Sequence, residues 1–198
     1  KGVAMGGEIR GDSASRTPRF LVSAHKDSGT LNTPGTDLQR VQIIKGWVDR
    51  DGQTHEKVFD IAGDADNGAS VDPMTCSRLG SGMQQSCSVW TDPSFDTGQD
   101  AFYYVRLLEN PSCRWSTLQC QSAGVNPFSD QCPDQAAAAT AIAQESGASG
   151  DVFGKCCINP EEQSFYSPTV QERAWSSPIW YRGSNTQPAS ASLDQAAK

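Results

Sequence analysis

The sequence lacks any long apolar run and any cluster of basic residues. No stretch approaches the length of a membrane span, and no segment has the pattern of a signal peptide. The 198 residues carry 16 Lys and Arg against 23 Asp and Glu, a net charge of −7. Because an acidic surface repels phosphate backbones, we do not expect nucleic-acid binding, and because no apolar run is long enough, we do not expect a membrane span. The start at Lys1 is interpreted as processed or cut from a longer chain.

Motifs for catalysis and structural zinc are missing as well. The chain has no nucleophile elbow, no P-loop, no H-E-x-x-H and no pair of histidines at ligand spacing. Of the two histidines, His25 and His55, the second follows a predicted hairpin turn, which suits a solvated strand residue. No C-x-x-C pair occurs, and both histidines are far from the cysteines, which disfavours zinc. The sequence therefore predicts no complete catalytic site in this chain.

Cysteine, in contrast, is frequent. The seven cysteines are Cys76, Cys87, Cys113, Cys120, Cys132, Cys156 and Cys157. Their Ser-, Gly- and Gln-rich surroundings favour disulfides over buried thiols, and so an oxidising compartment, periplasmic or extracellular. Connectivity does not follow from sequence, but local pairing predicts Cys76–Cys87 and Cys120–Cys132, with Cys113 bonded to Cys156 or Cys157. One cysteine is expected to stay unpaired.

Alternating apolar residues and turn signals predict a mainly β fold, an antiparallel β-sandwich-like domain. The predicted strands cover residues 19–26, 38–49, 53–62, 88–91 and 101–109, with a closing strand within 169–182. The turn Asp49–Gly52 should join two of them in a hairpin, since its Asp-Gly step supplies the positive φ of a tight turn. Pro178 places the closing strand at an edge or a bulge.

The composition changes between residues 112 and 168, which hold five of the seven cysteines. We interpret this segment as a disulfide-stapled insertion with a short helix near residues 135–145. Asp134 or a neighbour should cap that helix and Gly147 should end it. Residues 1–182 then form the β domain, and residues 183–198 a polar tail.

Two strings could bind a ligand. Asp64, Asp66 and Asp72 lie in one loop with a glycine, and closely spaced carboxylates of this kind can wrap Ca²⁺. The same residue types are also ordinary in turns. In the second string, Arg114 could bind a carboxylate or phosphate while Trp115 stacks beside it. Alternatively, Arg114 satisfies a loop carbonyl and Trp115 belongs to the core.

Several longer strings occur together and in order. They are Val3–Glu8, Leu38–Trp47, Asn67–Asp72, Val89–Asp96, Ala101–Arg106, Glu109–Thr117 and Gln171–Tyr181. Together they resemble the C-terminal part of bacterial secreted proteins in the family called domain of unknown function 3604. The resemblance implies distant relatives of PHP-type metal-dependent phosphoesterases, with histidine and carboxylate ligands in an N-terminal barrel. None of those ligand motifs is present here. The region from Cys120 to Cys157 also differs from the pattern of that family, because it is longer and richer in cysteine.

Three hypotheses follow. In the first, the chain is a β accessory domain that packs on a missing N-terminal metal-binding domain, with Arg114, Trp115 and Arg173 at the interface or lining the neighbouring site. In the second, it is a structural or interaction subunit of an extracellular or periplasmic assembly and pairs through its edge strands. In the third, it is a calcium-stabilised binding module.

Overall fold

A computed structural model of the chain describes residues 2–11, 16–31, 33–158, 163 and 166–184. Within them the strands are β1 Glu8–Arg10, β2 Arg19–His25, β3 Leu38–Val48, β4 Thr54–Gly63, β5 Ser70–Val71, β6 Arg78–Leu79, β7 Gln85–Thr91, β8 Ala101–Glu109, β9 Ser112–Cys113, β10 Thr169–Val170, β11 Arg173–Trp175 and β12 Ile179–Arg182. The helices are α1 Trp115–Ser122, α2 Cys132–Glu145 and a 3-10 helix, Gly154–Cys157. None of the helices in these ranges is long and apolar enough to cross a membrane. The predicted tail lies outside the described residues from position 185 onward.

β3 and β4 form the hairpin that the Asp-Gly step predicts. Gly52 has a φ of +79°, a backbone conformation that a side chain would strain. The Asp49 carboxylate accepts a 2.9 Å hydrogen bond from the Gln53 N–H and so closes the turn. Along β3, Ile43 and Ile44 point to opposite faces of the sheet and are both almost fully buried. The strand is therefore covered on both sides, as its apolar pattern predicts.

The large sheet has the order β1-β12-β8-β3-β4, and β11 also pairs with β8. β1 and β12 are parallel, while the other neighbours are antiparallel. The predicted closing strand is split into β11 and β12 around Pro178, which has no N–H to give to a ladder. At the split, the Ser176 hydroxyl accepts a 3.0 Å hydrogen bond from the Val105 N–H. Ser176 also donates its own N–H to the Val105 carbonyl, so β8 remains bonded across the break.

The small sheet consists of β2 and β7, paired antiparallel. Phe20 and Val22 of β2 point inward and pack on Val41, Ile43 and Tyr103 of the large sheet. Burial of these side chains between two facing sheets gives the molecule its main apolar core. The prediction of a mainly β, sandwich-like fold is confirmed, although the large sheet is mixed rather than purely antiparallel.

All seven cysteines lie within the described residues, and six of them are bonded. The disulfides are Cys76–Cys113, Cys120–Cys156 and Cys132–Cys157, and Cys87 is free and exposed. The prediction of disulfides with one unpaired cysteine is confirmed, but every predicted pairing is wrong. Cys76 lies in the turn between β5 and β6, and β5 contacts β9, which carries Cys113. Cys87 instead lies on β7 opposite Ser23, in the β2–β7 ladder, which contains no second cysteine.

The segment from residue 114 to residue 168, here called the cysteine-rich excursion, leaves and returns at the β9–β10 ladder. α2 contains the predicted helix and begins at Cys132. The residue preceding α2 is Gln131 rather than Asp134, which lies in the first turn, where a carboxylate favours the helix dipole. At the other end Gly147 has a φ of +97° and donates its N–H to the Gln144 carbonyl, which ends the helix as predicted. α1 is a helix that the sequence did not predict.

Candidate functional site

The predicted interface residues Arg114 and Trp115 lie at the start of α1. Arg114 Nε donates a 2.8 Å hydrogen bond to the Ser167 carbonyl, which is the structural role considered for it. Trp115 is 64% exposed and is therefore not the core residue of that alternative. Arg173 lies exposed on β11. Across the described part of the chain, no hydrogen bond or ion pair joins Arg173 to the other two residues, and their interface role stays a prediction.

The three candidate calcium ligands are used in local turns. Asp64 accepts a 2.9 Å hydrogen bond from the Asp66 N–H. Asp72 accepts one from the Thr75 hydroxyl at 2.8 Å and one from the Met74 N–H at 2.9 Å. These hydrogen bonds hold the pKa of Asp72 below its usual range, and the bond from Thr75 contributes most. No group of three or more His, Cys, Asp or Glu side chains in the described ranges is placed to hold a metal ion, and calcium binding by these aspartates stays a prediction.

A buried ion pair, which the sequence analysis missed, lies between the two sheets. Lys45 Nζ is 2.6 Å from Asp92 Oδ2, and the two side chains are 4% and 0% exposed. Lys45 also donates to the Ser94 carbonyl at 2.9 Å, while the Tyr103 hydroxyl donates to Asp92 at 2.8 Å. The Lys45 ammonium lies 5.1 Å from the centre of the Trp47 ring, within cation–π distance. Lys45 falls on the inward-facing side of the β3 alternation, and that position is the sequence signal that could have revealed it.

The surroundings of Asp92 keep it charged. Burial raises the pKa of Asp92, but hydrogen bonds from Lys45, Ser94 and Tyr103 and the charge of Lys45 outweigh burial and lower it overall. Burial and the hydrogen bond to Asp92 raise the pKa of the Tyr103 phenol. Both charges are thus compensated by groups of this chain, so the network fastens the loop after β7 to β3 and offers no open position to a substrate.

A cavity of about 610 Å³ lies beside the turn end of the β3–β4 hairpin, lined in part by Trp47, His55, Trp180 and Arg182. His55 Nε2 lies 2.7 Å from Asp49 Oδ2, and the Trp47 ring stacks on the imidazole with centroids 5.2 Å apart. The hydrogen bond to His55 is the largest contribution that lowers the pKa of Asp49. A histidine held by a carboxylate can move a proton, but Asp49 and His55 are both solvent-accessible and lie across a single turn. The contact therefore orients His55 and closes the hairpin.

A larger opening, here called the β2 groove, has a volume of about 980 Å³. One wall is the consecutive run Pro18–Ser23, which is the edge of β2 rather than one of its faces. Val105 and Leu107 of β8, here called the floor, also line the groove, together with Ile9 of β1 and Ile179 of β12. These four side chains are partly buried at the margin of the main core. The groove exists because the two strands of the small sheet cover less than the full width of the large sheet.

The backbone of β2 presents unpaired groups to this groove. Lys26 donates its N–H to the Gln84 carbonyl at 3.0 Å, which fixes the phase of the β2–β7 ladder. In an antiparallel pair, residues that bond to the partner alternate with residues whose N–H and C=O point away. Counting back from Lys26 in steps of two, Ala24, Val22 and Phe20 bond to β7. The N–H and C=O groups of Leu21 and Ser23 therefore point away from β7. Among the described strands, β2 pairs only with β7, so the edge of β2 that faces away from β7 is open.

The rim of the β2 groove is basic, although the chain as a whole is acidic. Arg10, Arg16 and Arg19 line it, against one acidic residue, Glu8. Glu8 is itself paired with Arg10 at 2.8 Å and with Arg182 at 3.2 Å. Within the described residues no ion pair involves Arg16 or Arg19, so both add positive charge beside the groove, on a chain whose net charge is −7.

Comparison with known proteins gives a family but no characterised relative. No curated protein and no solved structure matches the chain. A family model described as "Protein of unknown function (DUF3604)" matches residues 1–143. The match covers most of the 198 residues and ends within α2, before Cys156 and Cys157. The chain therefore belongs to the DUF3604 family of proteins of unknown function.

Proposed function

We propose that the chain is a non-catalytic β accessory domain that packs against another domain of a hydrolase-like secreted protein. The incomplete cover of the large sheet is the observation that carries the proposal. Val105, Leu107 and Ile179 line an open groove beside the edge of β2, which no other described strand than β7 pairs with. An apolar surface next to an open strand edge is a typical docking site, because contact buries the side chains and satisfies the backbone.

The resemblance described above supports a choice of partner. It implies an N-terminal metal-binding barrel, and we propose that the accessory domain packs on that barrel. Arg114, Trp115 and Arg173 are further candidates for the interface, since all three are exposed. The three disulfides support a periplasmic or extracellular location, where such bonds persist.

Hydrogen exchange tests the docking. The chain would be measured alone and with the separately expressed N-terminal domain of a DUF3604 relative. We expect slower amide exchange at Leu21 and Ser23 in the mixture, and unchanged exchange at the distant hairpin turn, Asp49–Gly52. Unchanged exchange along the whole chain, at concentrations well above those of the assay, would contradict the proposal.

An activity assay tests the non-catalytic part of the proposal. The isolated chain would be incubated with an aromatic phosphomonoester and Mn²⁺, Zn²⁺ or Mg²⁺. We expect no turnover above that of the His25→Ala and His55→Ala variants, which serve as matched controls. Turnover by the unaltered chain that disappears in either variant would overturn the proposal.

A second candidate function is an interaction subunit, favoured by the outer face of the small sheet. Leu21 and Val89 are cross-strand neighbours there and are 71% and 54% exposed. The free thiol of Cys87 is exposed on the same strand as Val89. Size-exclusion chromatography with light scattering separates the two functions: a stable oligomer supports the subunit, and a monodisperse monomer contradicts it.

A further inference from the structure

We infer that the β2 groove takes an extended, acidic strand of the domain on which the chain docks, and that this strand joins the small sheet beside β2. The inference rests on the proposed function and deepens it, because it names the surface, the mode of binding and the chemistry of the partner segment. Three independent features of the groove carry it: its backbone, its floor and its charge.

The backbone feature is the alternation of β2. Leu21 and Ser23 direct their N–H and C=O groups away from β7, toward the side on which the groove lies. A strand placed there would make main-chain hydrogen bonds without disturbing the β2–β7 ladder. The wall from Pro18 to Ser23 spans roughly 20 Å at about 3.3 Å per residue, so a segment of about six to eight residues fits.

The floor sets the side-chain pattern of the occupant. An added strand would lie over Val105 and Leu107, which line the groove as the inward-facing residues of β8. Because side chains alternate along a strand, every second residue of the segment should be apolar and face this floor. Those residues would complete the cover that two strands leave unfinished.

The charge of the rim selects the remaining residues of the segment. Arg16 and Arg19 supply positive charge, and the neighbouring Glu8 already pairs with Arg10 and Arg182. Acidic side chains at the alternate, outward positions of the segment would therefore be attracted to the rim. A second copy of this chain is a poorer occupant, because two β2 grooves placed edge to edge would bring their arginines together.

Peptide binding to the full chain tests this inference. The main probe is a blocked peptide of about eight residues in which valine alternates with glutamate, the pattern of a half-buried strand. One control peptide carries lysine in place of glutamate, and another carries N-methyl groups that remove the amide donors needed for pairing. With isotope-labelled protein, we expect shift changes and slowed exchange at Leu21 and Ser23 for the first peptide and for neither control.

Protein variants supply the second arm. The double variant Arg16→Glu/Arg19→Glu should weaken binding of the acidic peptide by about tenfold or more at low salt, while the turn variant Arg50→Glu should bind as the unaltered chain does. Leu21→Pro removes an N–H that points into the groove, not one that bonds to β7, and should abolish slowed exchange at Ser23. Circular dichroism confirms that each variant keeps its fold.

The outcomes separate cleanly. Equal binding of the N-methylated peptide would overturn strand addition, and equal binding of the lysine peptide would overturn the charge preference. Absence of binding, or shift changes confined to another surface, would overturn the groove as the docking site. If the peptide fails while the domain-level exchange experiment still shows docking elsewhere, the inference falls and the proposed function stands.

Discussion

The sandwich formed by the large and small sheets and the cysteine-rich excursion are held together by different means. In the sandwich, aromatic and branched side chains such as Phe20, Ile43 and Tyr103 form a continuous core, and the Lys45–Asp92 pair lies inside it. In the excursion, the buried cluster consists mostly of cysteine and alanine around Val125. Small side chains bury little apolar surface and so contribute little to stability. In the excursion, disulfide bonds therefore provide stabilisation that apolar burial provides in the sandwich.

The family match does not follow the boundary between these two regions. It covers residues 1–143, which include β1 to β8, α1 and most of α2, while β11 and β12 of the large sheet lie beyond it. Two disulfides, Cys120–Cys156 and Cys132–Cys157, connect the matched part to residues beyond it. The excursion therefore extends past the end of the match, and these two cross-links hold its matched and unmatched parts together.

The largest expected effect is in the sandwich. Asp92→Asn leaves the buried Lys45 ammonium without its counter-charge, and we expect a loss of about 3–5 kcal/mol in the free energy of unfolding. Denaturant titration followed by tryptophan fluorescence measures it. The matched control is Asp37→Asn, which breaks a partly exposed pair with Lys26 and should cost about 1 kcal/mol or less. Equal losses in the two variants would show that burial does not distinguish the two pairs.

The same pair predicts a dependence on pH. The pKa of Asp92 is lowered below 3.8 in the folded protein, so its stabilisation is present above the unfolded value and is lost as pH falls through the folded value. Stability should therefore fall less steeply on acidification in Asp92→Asn than in the unaltered chain. Parallel curves, measured by denaturant titration at each pH, would contradict this assignment.

A somewhat smaller effect is expected in the excursion. Removing the Cys132–Cys157 bond with Cys132→Ser/Cys157→Ser opens a link across 25 residues and should cost about 2–4 kcal/mol. We expect the helical signal in far-ultraviolet circular dichroism to melt first, while the near-ultraviolet aromatic signal of the sandwich persists. Cys87→Ser is the control and should change neither signal, since Cys87 is free and exposed. A single joint transition in the double variant would break the comparison between the two regions.

The hairpin turn should show a smaller loss. Gly52→Ala places a side chain at a φ of +79°, with a cost of about 1–2 kcal/mol. Arg50→Ala, in the same turn, should change the melting temperature very little because Arg50 is exposed. Thermal melts of the two variants measure the difference, and similar melting temperatures would argue against the strain assigned to position 52.

The smallest effect concerns the aspartate loop. Asp64 and Asp72 accept hydrogen bonds from their own turn, so neither EDTA nor added Ca²⁺ should shift the melting temperature. Asp66→Asn should melt close to the unaltered chain. A calcium-dependent increase that Asp66→Asn abolishes would restore the calcium-stabilised module as a candidate.

Local features of the fold could be predicted from the sequence, and long-range ones could not. β8 has the predicted bounds of residues 101–109, and the turn at Gly52 and the end of α2 at Gly147 follow from single residues. Each depends on neighbours a few positions apart. α1 was missed because its residues are mostly polar and no side chain caps its start. The cysteine pairing was missed because it depends on long-range contacts, between β5 and β9 and between the two α-helices and the 3-10 helix, which alternation does not encode.

The candidate site was harder to predict for the same reason. Arg19 and Val105 belong to different sheets and are 86 positions apart, yet both line the β2 groove. Arg114 and Trp115 are conspicuous because they stand together in one unusual local string, and a groove leaves no such local mark. Lys45 could have been noticed from its inward position in β3, but its partner Asp92 could not.

The parallel pairing of β1 with β12 has a mechanical consequence. Glu8–Arg10 lies alongside Trp180–Arg182, and Gly11 continues the contact by donating its N–H to the Arg182 carbonyl. A pulling force that enters before β1 and leaves after β12 would run along the two strands in opposite directions. The hydrogen bonds between them would then be sheared together instead of opening one by one. This geometry makes the β1–β12 pair resistant to extension of the chain from its two ends.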